Sequence, residues 1–270
     1  AMHQCMRLLD SLDHPWKHYQ YIAGVDAPLR TNLERVKIFR QLEGLSDTCV
    51  LDYEQERLRS RKNQIPPLQL FKSAISATIA REAIHTMVKH PRVNSLMHYL
   101  KDTFIPDESF FTTVLGNPRL LKVSGSFDAA RYLEYKIRAK IEMERNNSYG
   151  VPPTCAHPPC LDYGFISRFQ IWYDRKNCGG YFSHESCVFG VADLPKLALN
   201  PALTVHKLYL DHEPAAFFCL LKKHAERRAR PDRLFDYKQY AQLPIFEMAR
   251  GVTFEKLSRP DLLRVINAES

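Results

Sequence analysis

Apolar positions along the chain recur first with helical and then with strand periodicity. Met6, Leu8, Leu9 and Leu12 give residues 1–13 an amphipathic helical pattern, which His14-Pro15 breaks. Tyr19-Gln20-Tyr21-Ile22-Ala23-Gly24 has the composition of a buried strand that stops at a turn, Asp26-Ala27-Pro28. Thr31 or Asn32 caps a predicted helix through Leu33, Val36, Ile38, Phe39 and Leu42 to Gly44. A charge-rich loop, residues 54–63, precedes Ile65-Pro66-Pro67. Residues 73–80 form a predicted strand of small side chains, and Arg81 opens a helix (Ile84, Met87, Val88) that His90-Pro91 closes.

From Val93 to Phe104 the period is again helical, with Leu96, Met97, Leu100 and Phe104 on one face. Pro106 interrupts it, because proline lacks the N–H and restricts its predecessor. In FIPDESFF (104–111), Asp107 is then placed to cap a helix running from Glu108 to Leu115. Residues 119–150 are polar and 151–160, VPPTCAHPPC, form a loop. Phe165 to Tyr173 alternates as a strand containing Trp172, and Cys187-Val188-Phe189-Gly190 is a second short strand. Asp193 falls near the start of a helix and reads first as its cap, His206 to Leu210 is extended, and a helix runs from Pro214 to about Arg228. The sum is a mixed α/β chain without internal repeats.

At 270 residues, 45% hydrophobic and 25% charged, the chain is a globular one. Its formal charge is +8, spread along the sequence except for one dense run, Lys222-Lys223-His224-Ala225-Glu226-Arg227-Arg228-Ala229-Arg230. A solvated basic helix end is the commoner cause of such a run, so nucleic acid is not an expected partner. The same charge suits an anionic ligand such as the diphosphate of a sugar nucleotide. No stretch approaches the roughly 20 apolar residues that span a bilayer, and no signal-peptide pattern opens the chain. The sequence starts Ala1-Met2-His3, already helical in pattern, which suggests a piece of something longer.

Seven cysteines leave at least one without an internal partner. Cys178 and Cys187 flank CGGYFSHESC, where Gly179-Gly180 would let a strand turn and return, an arrangement suited to a local disulfide. Cys155 and Cys160 enclose His157, but C-x-H-x-x-C without a second pair is a poor zinc signature, so no metal site is expected. Asn146-Asn147-Ser148 is a glycosylation sequon with Asn146 as acceptor, in keeping with an oxidising, secretory compartment.

Four segments, in order, carry a family resemblance. WKHYQYIAGVDAPLRTNLERVKIF resembles the strand-turn-helix of the Core-2/I-branching β-1,6-N-acetylglucosaminyltransferases, W-x-Y-x-I-N-L-x-G-x-D-x-P-[IL]-[KR]-T-N-x-E. FIPDESFFTTVL resembles their S-P-D-E-x-x-x-x-T-[IL], CVFGVADL their C-[VI]-[FY]-G-A-G-D-L, and TVHKLYLD their F-A-N-K-F-D. The resemblance covers about residues 7–225. It places Cys178 and Cys187 at the family's local disulfide, and Cys5 and Cys219 at positions disulfide-bonded in family members, with partners upstream of residue 1.

The resemblance implies an inverting glycosyltransferase of GT-A type that uses no catalytic metal and no cofactor. Such an enzyme moves N-acetylglucosamine from UDP-N-acetylglucosamine to the C6 hydroxyl of a galactose or N-acetylgalactosamine unit, branching an O-linked glycan. Glu108 matches the base of the family's P-D-E motif, which takes the hydroxyl proton. Lys207 matches the N-K-F lysine, which offsets the charge of departing UDP. His184 stands where the family has a second diphosphate-binding cation, an arginine; a neutral imidazole there would supply a hydrogen bond without charge. Trp172 matches an aromatic residue that packs on the acceptor, and Arg57 aligns with an acceptor-binding arginine. Four of these also have a plainer reading: a helix cap for Glu108, surface or loop cations for Lys207 and Arg57, a core or interface tryptophan for Trp172.

The same resemblance implies residence on the lumenal side of the Golgi membrane through an anchor upstream of this chain. The first strands, which build much of the uridine pocket, would also precede residue 1. Residues 1–225 are thus expected to form the C-terminal part of a GT-A catalytic domain, and 226–270 an extension of unassigned role. The alternative is an inactive relative that binds glycan or serves as structure, favoured by His184 and the missing portion.

Overall fold

The computed structural model describes residues 2–146, 165–230 and 236–257. In chain order the regular elements are α1 (Met2–Ser11), β1 (His18–Gln20), β2 (Asp26–Pro28), α2 (Asn32–Leu42), β3 (Asp47–Thr48), β4 (Leu51–Asp52), β5 (Phe71–Lys72) and β6 (Ala77–Ala80). There follow α3 (Arg81–Lys89), α4 (Pro91–Leu100), α5 (Asp107–Leu115), α6 (Ala129–Asn146), β7 (Tyr181–Ser183), β8 (Ser186–Val188), α7 (Leu194–Leu199), β9 (Thr204–His206), α8 (Pro214–Ala229) and α9 (Pro244–Ala249). This is the mixed α/β architecture expected, with short strands gathered in small antiparallel ladders. The described residues form two compact units: 2–21, 42–139 and 244–257 make the first, and 22–41, 140–146, 165–230 and 236–243 the second.

In the first unit β6 is the middle strand of a three-stranded sheet, with Ile79 opposite Tyr19 and Thr78 between Gln20 and Asp47. Its four residues, Ala-Thr-Ile-Ala, are all buried, which small and β-branched side chains permit. The strand is shorter than residues 73–80 because the Ser73 N–H donates instead to the Glu108 carbonyl at 2.6 Å. Helix α1 buries Met6, but Leu8 and Leu12 stay exposed. Helix α3 buries Ala83, Ile84 and Met87, and α4 buries Val93, Leu96 and Leu100. The His90 ring accepts from the Arg92 N–H at 3.1 Å, capping α4. Helix α4 stops at Leu100 rather than reaching Phe104: the Thr103 hydroxyl turns back to the Leu100 carbonyl, and the Phe104 N–H goes to the Arg57 carbonyl at 2.8 Å. Phe104 is consequently exposed instead of lying on the helix face.

The second unit contains β2 paired with β9 and the hairpin β7–β8. The segment expected to turn at Asp26-Ala27-Pro28 is itself strand β2; the turn lies before it, closed by Asp26 N–H to Ala23 carbonyl at 3.0 Å, with the Asp26 carboxylate accepting from Ala23 N–H at 2.8 Å. Thr31, rather than Asn32, caps α2 in a reciprocal arrangement: its hydroxyl accepts from Glu34 N–H at 3.2 Å and Glu34 Oε2 accepts from Thr31 N–H at 2.7 Å. On α2, Ile38 is buried while Leu33 and Val36 are exposed. The predicted strand over 165–173 is an extended segment with two isolated bridges, Phe169 to Val205 and Trp172 to Ser186, so it links β9 to β8 without forming a continuous ladder. Ala27, Leu29, Ile171, Phe189, Leu197 and Val205 belong to the buried core of this unit. Part of the basic run on α8 is structural: Arg227 pairs with Glu34 at 2.6 Å and donates to the Leu29 carbonyl at 2.9 Å.

Residues past 225 contribute to both units. Tyr240, buried in the second, donates to the Pro201 carbonyl at 2.7 Å and accepts from Arg30 Nε at 3.4 Å. Phe254, in the first, meets the Tyr135 ring at 6.2 Å and has the Arg131 and Arg138 guanidinium groups over its face.

Candidate functional site

Glu108 enters the first turn of α5 by a specific backbone route. Ile105 adopts φ 47°, Pro106 takes the N-cap position without a side-chain cap, and Glu108 N–H donates to the Ile105 carbonyl at 3.1 Å. Asp107 is therefore the first helical residue instead of the cap. Both carboxylates lie in the turn where the helix dipole favours negative charge. The Glu108 side chain is 25% exposed, open to solvent yet anchored.

Its anchor is Arg57, buried in a 3₁₀ turn spanning Gln55–Arg61. Arg57 Nη2 donates to Glu108 Oε2 at 3.0 Å, Nε donates to Glu54 Oε2 at 2.6 Å, and Nη1 reaches the Phe104 carbonyl at 3.5 Å. Glu54 is shared with Lys72, whose Nζ lies 2.7 Å from Oε1. Charges thus alternate from Lys72 through Glu54 and Arg57 to Glu108. Burial opposes the Arg57 charge, but the Glu54 hydrogen bond and the field of Glu108 outweigh it and raise its pKa further. The hydrogen bonds from Lys72 and then Arg57 hold Glu54 below the usual carboxylate range. A guanidinium so committed orients a carboxylate, and its remaining capacity toward a sugar is small.

In the second unit, Lys207 is buried just after β9, and its Nζ donates to the Ser183 carbonyl at 2.8 Å. The same serine's hydroxyl lies 3.1 Å from His184 Nδ1. Ser183 thereby joins the two residues singled out for a diphosphate, a link with no signature in the sequence. The hairpin turns through His184 and Glu185, both at positive φ (48° and 62°). Tyr173, at φ 55°, donates from its hydroxyl to Glu185 at 2.7 Å, and Trp172 beside it is 38% exposed, its ring 6.2 Å from that of Tyr173. Trp172 accordingly is not a core residue. Arg175 lies over the Phe182 ring at 5.5 Å.

Cys178 and Cys187 form the expected disulfide, with Cα atoms 5.8 Å apart, across the base of this hairpin. Gly180 is required there, because a β-carbon would collide with the Val188 carbonyl oxygen. Asp193 closes the same base: its two oxygens accept from Gly179 N–H at 2.8 Å and Gly190 N–H at 3.0 Å. Both sulfurs are covalently committed, so the cluster of Cys178, Cys187 and Asp193 has no thiolate to offer a metal. Asp26, whose side chain is fully buried, contacts His206 Nδ1 at 2.6 Å and braces β2 against β9 next to Lys207. Glu54, Lys72, Ser183 and Asp26 were missed in the sequence, although Glu54 stands in the charge-rich loop that contains Arg57. Asn146 ends α6, but Asn147 and Ser148 of its sequon lie outside the described residues, as do Cys155, His157 and Cys160.

A family model described as Core-2/I-branching enzyme matches residues 1–145. The mouse N-acetyllactosaminide beta-1,6-N-acetylglucosaminyl-transferase is 25% identical over 249 residues, 83% of this chain and 54% of that protein. The human beta-1,3-galactosyl-O-glycosyl-glycoprotein beta-1,6-N-acetylglucosaminyltransferase is 24% identical over 252 residues, 83% of this chain and 52% of that protein. The chain spans about half the length of these curated relatives. The family match includes the turn bearing Arg57 and the helix bearing Glu108, and on it the chain belongs to the Core-2/I-branching enzyme family.

Proposed function

We propose that the protein transfers N-acetylglucosamine from UDP-N-acetylglucosamine to the C6 hydroxyl of a galactose or N-acetylgalactosamine unit of an O-linked glycan, with inversion. In this reading the chain is part of a GT-A catalytic domain in the Golgi lumen. Glu108 removes the proton from the acceptor hydroxyl as that oxygen bonds to the anomeric carbon, and the bond from that carbon to the diphosphate oxygen breaks. Lys207 meets the negative charge that gathers on UDP, with His184 adding a hydrogen bond, so the charge compensation rests on side chains rather than on a metal. Trp172 packs against the acceptor. The names of the relatives support this chemistry, since the mouse and human proteins are beta-1,6-N-acetylglucosaminyltransferases.

The observation that carries the reading is the anchored, solvent-reaching carboxylate of Glu108. Arg57 fixes Oε2, and an ionised carboxylate has further lone pairs to accept a proton. The decisive test is incubation of the full-length protein with UDP-N-acetylglucosamine and a panel of galactose- and N-acetylgalactosamine-terminated acceptors, followed by linkage analysis. A β-1,6-linked product, lost in Glu108→Gln, is expected. Turnover retained in that variant overturns the assignment of the base, and glycan binding without transfer identifies a non-catalytic relative instead.

A further inference from the structure

Four residues before Glu108, the Phe104 ring has two guanidinium groups near it, that of Arg57 at 5.8 Å and that of Arg59 at 4.6 Å from its centroid. They differ in what is left to bind. Arg57 is buried and committed to Glu54 and Glu108. Arg61 is committed to Asp102 at 2.5 Å and Lys72 to Glu54 at 2.7 Å. Arg59 is exposed, and among the described residues it has no carboxylate partner, although Glu56 precedes it by three positions.

The backbone holds this arrangement in an expensive conformation. Arg59 has φ 50° and ψ −118°, and Ile105, directly after Phe104, has φ 47°, both in the region disfavoured for a residue with a β-carbon. The Phe104 N–H donates to the Arg57 carbonyl, two residues before Arg59, and the Glu108 N–H donates to the Ile105 carbonyl, tying Ile105 to the helix that carries the carboxylate. The Arg59 guanidinium is exposed beside the ring, and a guanidinium is a planar fork that matches a carboxylate or sulfate. The exposed part of the same ring is suited to the apolar face of a sugar.

We propose that Arg59 and Phe104 form a subsite for an acidic sugar, bearing a carboxylate or a sulfate ester, within the acceptor glycan. The proposal rests on the placement of Glu108 as the acceptor's base. Its test is kcat/KM of the full-length protein on one acceptor backbone in neutral, sialylated and sulfated forms, the last two arms separating the sources of the anion. A charge-assisted bond predicts a preference of about tenfold or more for an acidic form. Arg59→Ala is expected to bring the acidic-to-neutral ratio toward one, and Arg59→Lys to leave it between the two. Equal use of neutral and acidic acceptors by the wild type, or an unchanged ratio in Arg59→Ala, overturns the proposal. Saturation-transfer NMR with the sialylated and sulfated glycans reads binding apart from turnover. A protein that binds them through Arg59 but transfers nothing keeps the subsite and defeats the enzymatic reading, whereas transfer without preference does the reverse.

Discussion

Arg57 donates to Glu108 Oε2 at 3.0 Å while holding Glu54 at 2.6 Å, so one buried guanidinium sets the position of the carboxylate at the start of α5. The arrangement gives Glu108 a fixed orientation without burying it, which a general base requires.

Replacement of Glu108 by Gln removes the proposed proton acceptor with little change of shape. Transfer is expected to fall by at least about a hundredfold, the lower end of what a positioned base contributes. UDP affinity should stay at the wild-type value by calorimetry.

Arg57→Ala leaves two carboxylates facing an emptied, part-buried site. Loss of this hydrogen-bonded pair should lower stability by about 2 kcal/mol. Arg57→Lys keeps the charge but cannot reach Glu54 and Glu108 together. In that variant kcat should drop more than KM changes, whereas an acceptor contact would show mainly in KM.

Lys207→Ala deletes a cation positioned by the Ser183 carbonyl. UDP binding by the full-length protein should weaken by about 10- to 100-fold, the value of one charge-assisted hydrogen bond. Unchanged affinity would assign the diphosphate to another cation, with Arg175 next in line.

Removal of the Cys178–Cys187 bridge by a double Ser substitution frees the base of the hairpin whose tip holds Lys207 and His184. A loss of about 2–3 kcal/mol is expected for so short a loop. Thermal denaturation reads the loss, and UDP titration should show weakening in the same variant.

Burial lowers the pKa of His18, despite Glu82 nearby, and burial followed by the Arg7 charge lowers that of His3. A histidine depressed in the folded state binds fewer protons than in the unfolded chain, so its stabilisation is complete above the ordinary value of about 6.5. It is lost as pH falls from there toward the folded value. The melting temperature should therefore decline from neutrality toward about pH 5, and His18→Gln should flatten that decline.

Periodicity located α1 and α3 well, because each has a one-sided apolar stripe and a proline near a boundary, and Pro214 marked the start of α8. It was less successful where distant backbone partners competed. Residues 73–76 are not part of β6, since Ser73 pairs with Glu108, and 165–173 is bridged rather than laddered. Asp26–Pro28 became a strand because Thr204–His206 lies beside it, and local turn chemistry carries no trace of such a partner.

By itself the sequence determined which residues merit attention. FIPDESFF, CVFGVADL and TVHKLYLD contain Glu108, the disulfide cysteine Cys187 and Lys207, and the short spacing from Cys178 to Cys187 made their bridge legible. Only the tertiary structure decided what each carboxylate and cation is paired with. It joined Arg57 to Glu108 across 51 positions and Lys207 to Ser183 across 24, and it left Arg59 without a carboxylate partner among the described residues. The reason is physical: side-chain identity is a local property, whereas the energy of a charge depends on which distant groups folding brings within hydrogen-bond distance of it.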